Sequence, residues 1–166
     1  MAQPEIRIVK ALAKNGGKLV LAESCTGGLI AARLTAIPGV SDVFSGSHVV
    51  YREASKRAWL GISAATLKKY SAVSAQVAEA MARGALRKTP EATIAGAVTG
   101  YLGPSGKHVG LVYLSVFVRG AREATTLKLE IGKVSGTGIQ ARLKRREIAA
   151  EKLLATLDAV LARSES

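Results

Sequence analysis

The stretch between Gly16 and Gly39 constrains this chain most. After the pair Gly16-Gly17, residues 18–22 (KLVLA) read as a short buried strand. A turn, ESCTGG, follows at once, and residues 29–35 (LIAARLT) are helical until Pro38-Gly39 stops them. A strand that passes through a two-glycine turn into a helix belongs to a layered α/β fold, where helices cover a sheet.

The remaining segments extend that pattern. A first helix is expected over residues 5–14, ended by Gly16-Gly17. Residues 47–51 (SHVVY) form a second strand candidate, followed by short helices at 56–60 and 64–70, the latter capped by Ser63. Ser74 is a good N-cap for a helix whose Val77, Ala78, Met81 and Ala85 make an apolar stripe. A strand at 93–98 leads into a glycine-rich loop at 100–106. Residues 110–118 (GLVYLSVFV) are the longest apolar run and read as a central strand. Arg119-Gly120 suits a turn into a further strand at 123–131. Residues 140–163 make a long amphipathic helix, with Leu143, Ala150, Leu153, Leu154, Leu157 and Leu161 on one face. This order predicts one α/β domain over residues 1–166: a three-layer α/β/α sandwich around a mixed, mostly parallel sheet of about five strands. Residues 110–131 supply its antiparallel hairpin. Ligands bind such sheets at the carboxyl ends of strands. Residues 23–28, 51–56 and 99–106 all fall there.

Composition narrows the function classes. The chain is 48% hydrophobic but only 4% aromatic, so its core is expected to be Ala, Val, Leu and Ile. No apolar run reaches the roughly 18 residues of a membrane span. Charges stand where a signal peptide would carry its apolar stretch, and the lone Cys25 excludes an internal disulfide framework. A cytoplasmic protein without membrane contact is expected. Twenty-four Lys and Arg against twelve Asp and Glu give +12 (24 − 12), a balance that suits nucleic acid, an anionic surface or a phosphorylated small molecule. The basic residues are spread along the chain, densest at Arg142, Lys144, Arg145 and Arg146, with no aromatic run on which bases would stack. Nucleic acid is therefore not the expected main partner. His48, His108 and Cys25 have no metal-ligand spacing, and there is no Walker loop, GxGxxG or GxSxG. No metal or cofactor is expected.

Four groups carry candidate chemistry, each with a plainer alternative. In AESCTGG, the amides of Thr26, Gly27 and Gly28 would point outward and unpaired at a helix start, ready for a phosphate or an oxyanion. Alternatively, Ser24 or Thr26 merely caps the helix. In YREASK, Lys56 can reach back over the sheet edge from beyond Tyr51. A desolvated, neutral lysine would act as base toward a serine, whereas a solvated helix-surface lysine would do nothing. Thr99, at a strand end before the loop that starts at Gly100, either binds substrate or caps its own turn. Arg142 and Arg146, four apart on a helix, repel one another unless an anion lies between them; Glu147 offers a competing salt bridge, and Arg145 reads as solvated. Cys25 is either a helix-end nucleophile or small core filling.

Together these segments resemble the C-terminal domain of the CinA family, the nicotinamide mononucleotide deamidases. The family's strings are AESCTGG after a strand, YSNxxK, GAVS, TGxxGPxG and VGxVY. Here they stand at 22–28 (AESCTGG), 51–56 (YREASK), 71–74 (SAVS), 99–106 (TGYLGPSG) and 109–113 (VGLVY), with a weaker echo in the last helix. The resemblance implies hydrolysis of the carboxamide of nicotinamide mononucleotide to ammonia and nicotinic acid mononucleotide, within pyridine-nucleotide salvage. It implies Ser24 as nucleophile, Lys56 as general base, and Tyr51 and Thr99 lining the site. Glu23, Thr26, Gly27, Gly28, Gly100, Arg142 and Arg146 are implied in substrate binding, the arginines suiting the phosphate. A homo-oligomer is expected by the same likeness. Larger members add an N-terminal molybdopterin-binding-like domain, which is not expected here. The alternative is a non-catalytic nucleotide-binding module serving a competence or DNA-damage role. The chain departs from the family at Arg52 and Glu53, which replace a small polar pair, at Tyr101 and Leu102, which replace smaller residues, and at Lys107-His108 and Gln140-Ala141; the bulkier Tyr101 is expected to narrow the pocket and the charge at Arg52 to change selectivity.

Overall fold

The computed structural model describes residues 3–163. The order of elements is α1 (Pro4–Asn15), β1 (Leu19–Glu23), α2 (Leu29–Thr35), a 3-10 turn (Val40–Asp42), β2 (Phe44–Val49), α3 (Glu53–Leu60), α4 (Ala64–Tyr70), α5 (Ala75–Lys88), β3 (Ile94–Gly100), β4 (Leu111–Val118), β5 (Thr125–Glu130) and α6 (Gly138–Arg163). The strands lie in the order β2-β1-β3-β4-β5. β1 pairs with β2 and β3 in parallel, while β4 runs antiparallel to both β3 and β5. Four of the five strands therefore point the same way, with β4 reversed.

Strand alternation sorts side chains into two cores. Leu19 and Leu21 of β1, with Ile94 and Val98 of β3, pack toward α1, α2 and α6. Val20, Ala22, Ala95 and Ala97 face the opposite layer of α3, α4 and α5. This is the expected three-layer sandwich, and its core is aliphatic as the composition requires. Gly96 lets α6 lie directly on β3, because a Cβ there would sit 3.1 Å from Leu21 Cδ2 and 3.2 Å from Leu157 Cδ1. Arg33 of α2 ties its layer together, reaching Glu5 of α1 and Glu151 of α6, each at 2.6 Å. The Ser63 hydroxyl accepts the Thr66 amide at 3.0 Å, and Ser74 accepts that of Val77 at 3.2 Å, so α4 and α5 begin where serine caps place them.

The differences from the sequence reading cluster near the carboxyl edge. β2 starts at Phe44 and ends at Val49, because Val50 and Tyr51 leave the ladder; only the Val50 amide still reaches back, to the Glu23 carbonyl at 2.8 Å. α3 starts at Glu53, earlier than expected. The Ser55 hydroxyl accepts the Arg52 amide at 3.1 Å and so closes the first turn there. β3 continues through Gly100, which the sequence placed in the loop. In α6, Leu143 is not part of the buried face; it is 43% exposed, because the first turns direct Ala141, Arg142 and Arg145 toward the β3–β4 loop.

Candidate active site

β1 ends at the carboxyl edge with Glu23, and Ser24 follows at the start of the turn. The Ser24 amide is held by the Val98 carbonyl of β3 at 3.0 Å, so the hydroxyl starts from a backbone pinned to the sheet. One strand away, the chain leaves β2 at Val50 and enters α3, whose early Lys56 side chain points back under the sheet edge. Lys56 is only 2% exposed. Its Nζ donates to Ser24 Oγ at 2.8 Å and to the Val50 carbonyl at 2.9 Å. Burial strips water from the ammonium and pushes the Lys56 pKa below that of an ordinary lysine; the Cys25 thiol, once ionised, and the Glu53 carboxylate oppose this only in part. Burial pushes the Cys25 thiol up to about 12, so it remains protonated at neutral pH and fills space beside Ser24.

The turn differs from the sequence reading in one important respect. The amides of Gly27 and Gly28 are not open to a ligand. The Glu23 carboxylate, fully buried, accepts from the amides of Gly28 at 3.0 Å, Ile30 at 3.1 Å and Ala31 at 3.0 Å. It also accepts from the hydroxyls of Thr26 at 2.8 Å and Ser47 at 3.1 Å. The protein's own anion thus occupies the start of α2, where its charge complements the helix dipole. Gly27 donates to the Ser24 carbonyl at 3.1 Å. Glu23, Gly27 and Gly28 therefore hold the turn together, and Thr26 joins them through its hydroxyl. Among the described residues of this turn, the Thr26 amide finds no acceptor, and the Cys25 amide reaches only the thiol of its own side chain.

Beside Ser24 opens a cavity of about 300 Å³ that brings together Ser24, Lys56, Tyr51, Thr99, Gly100 and Arg142. Thr99 donates to the Ala72 carbonyl at 2.8 Å and so fastens the segment before α5 to the end of β3. Gly100 is needed for strand packing, since a Cβ there would lie 2.7 Å from Val112 Cγ2 and 2.9 Å from the Leu111 carbonyl oxygen. Tyr51 is 57% exposed, and its hydroxyl accepts from Arg142 Nη2 at 2.7 Å, while Nη1 of the same arginine donates to the Gly103 carbonyl. Arg146 does not line the cavity. Arg145, one helical turn from Arg142, donates to the Leu102 carbonyl at 3.3 Å. Glu147 reaches Arg33 at 3.8 Å and leaves both arginines alone. Sequence reasoning missed the Val50 carbonyl that anchors Lys56, a backbone group with no sequence signal. It did not single out Ala72, Val73 and Ser105 in the lining, although the strings SAVS and TGYLGPSG hold them.

A buried serine–lysine couple at the carboxyl edge of a mixed sheet, beside an arginine-flanked cavity, defines an α/β protein of the serine–lysine type. The chain belongs to the family of the CinA C-terminal domain, whose model matches residues 2–157. A CinA-like protein of Myxococcus xanthus is 46% identical over 117 residues, 68% of this chain and 28% of that protein. A CinA-like protein of Akkermansia muciniphila is 44% identical over 132 residues, 77% of this chain and 32% of that protein. The chain thus spans about a third or less of the length of these curated relatives. Among solved structures, the competence/damage inducible protein CihA of Agrobacterium tumefaciens superposes with a TM-score of 0.84 at 37% identity, covering 94% of this chain and 92% of that one. A CinA superfamily protein of Klebsiella pneumoniae gives 0.86 at 30% identity, covering 96% of each chain.

Proposed function

We propose that the chain is an amidohydrolase that converts nicotinamide mononucleotide to nicotinic acid mononucleotide and ammonia. The observation that carries this reading is the buried Lys56 Nζ, 2.8 Å from Ser24 Oγ, with no carboxylate paired to it among the described residues. Its depressed pKa supplies a neutral amine at lower pH than a solvated lysine would. That amine accepts the Ser24 proton while the Val50 carbonyl holds one of its own N–H bonds in place. Ser24 Oγ then attacks the amide carbon. The amides of Cys25 and Thr26, which no other backbone group accepts, donate to the oxyanion. As the tetrahedral intermediate collapses, protonated Lys56 delivers its proton to the leaving nitrogen, and ammonia departs. Water, deprotonated by Lys56, attacks the acyl carbon, and Ser24 Oγ recovers its proton. Arg142 is placed to exchange its bonds to Tyr51 and Gly103 for the phosphate of the nucleotide.

The test is ammonia release from nicotinamide mononucleotide by the purified protein, with Ser24→Ala and Lys56→Ala alongside. Loss of about 10²–10⁴-fold in kcat is expected for Lys56→Ala, and the rate of the wild type should rise with pH with a midpoint below the ordinary lysine value of 10.5. Full activity in Lys56→Ala would sink the mechanism. Nucleotide binding without ammonia release would favour a binding module.

A further inference from the structure

We propose that Tyr101 determines specificity: its ring is the surface on which the planar ring of an aromatic carboxamide stacks while the amide faces Ser24. The inference rests on the amidohydrolase reading and names how that site selects its substrate class. In a chain that is only 4% aromatic, Tyr101 stands in the wall of the cavity that holds Ser24 and Lys56, with 41% of its surface exposed. Its backbone is fixed on both sides. The Tyr101 amide donates to the Leu111 carbonyl at 2.9 Å, and its carbonyl accepts the Gly110 amide at 2.6 Å. Antiparallel pairing therefore continues one residue beyond β3, and the ring springs from a sheet edge.

The ring is held at its far end as well. The Tyr101 hydroxyl lies 3.4 Å from Ser71 Oγ, and the His108 imidazole sits beside the ring, 6.2 Å between centroids with the planes 32° apart. Ser71 is itself immobilised, with φ at +69°, a region that non-glycine residues rarely occupy. Three contacts keep it there: its amide donates to the Leu67 carbonyl at 3.0 Å, its carbonyl accepts the Ser74 hydroxyl at 3.1 Å, and the next residue is fastened by Thr99. A ring already held at both ends loses little freedom when a ligand stacks on it. The competing role for so large a side chain is obstruction, and the two make opposite predictions. Removing an obstruction tightens binding; removing a stacking surface weakens it.

Proton NMR of nicotinamide mononucleotide titrated into Ser24→Ala protein separates them, because this variant reports binding without turnover. Stacking moves the pyridinium ring protons upfield. The shift is expected in Ser24→Ala and in Ser24→Ala/Tyr101→Phe, which keeps a ring. It should vanish in Ser24→Ala/Tyr101→Leu, with affinity weakened on the order of threefold to tenfold. An unshifted bound ring, tighter binding by the leucine variant, or no binding at all would overturn the proposal. Ammonia release by the wild type tests the amidohydrolase reading independently.

Discussion

At Lys56 the requirements of the proposed chemistry and of stability conflict. In water the side chain holds its proton up to the ordinary value of 10.5; in the folded protein, burial lowers that value. The unfolded chain therefore binds the proton more tightly, and stability rises with pH from the depressed folded-state value up to 10.5. Below the depressed value the burial penalty is present in full; above 10.5 it is gone. Lys56→Met removes the buried amine while keeping most of its volume. The variant should release no ammonia, yet be more stable than wild type by about 1–2 kcal/mol at neutral pH, the gain fading as pH approaches the ordinary lysine value. Urea midpoints at neutral and alkaline pH measure this, and a Lys56→Met protein less stable at neutral pH would contradict it. Ser24, Lys56, Tyr51 and Thr99, which line one cavity, were singled out in the sequence by residue type and by the family strings that hold them. The role of Glu23 was not. Its position in the motif suggested a ligand contact, and only the folded path of α2 shows that several donors converge on its carboxylate.

Among the elements, α2 and α3 each depend on one close contact. Glu23→Ala would strip the start of α2 of its acceptor, leaving the amides of Gly28, Ile30 and Ala31 unpaired. A loss of about 2–4 kcal/mol is expected, with Glu23→Gln milder because it keeps one acceptor oxygen; equal urea midpoints for the two variants would argue against the capping role. The carboxyl end of α3 packs so closely on α5 that a Cβ on Gly84 would lie 2.6 Å from the Leu60 carbonyl oxygen. The same carbonyl accepts from Arg87 at 2.8 Å. Alanine is the better helix former by about 1 kcal/mol, yet Gly84→Ala should lower stability by about 1–2 kcal/mol net, because α3 has to move. Its thermal midpoint, about 2–4 °C lower per kcal/mol, decides the sign. Hydrophobic periodicity and serine caps made every helix of this fold readable. Among the boundaries that shifted, those at β2, α3 and β3 are ones where hydrogen bonds near the site override local pattern.

Over the whole molecule, the charge of +12 invites a comparison of partners. A binder that neutralises many phosphates loses affinity steeply with salt. On the proposed reading, a nucleotide held by Arg142 in a cavity of about 300 Å³ engages one phosphate. Its dissociation constant should weaken less than about tenfold between 50 and 200 mM salt, where a surface making six to ten phosphate contacts loses roughly 10³–10⁵-fold. A steep salt slope for the nucleotide would place the phosphate on a wider basic surface. The internal carboxylate at the start of α2 has a consequence at this scale too. The segment that aims the nucleophile is assembled before any guest arrives, while the rim that meets the guest comes from other segments, at Tyr51, Tyr101 and Arg142. The floor that positions Ser24 and the rim that meets a guest are thus separable parts. On the amidohydrolase reading, amide preference can drift through the rim while the floor beneath it keeps its shape.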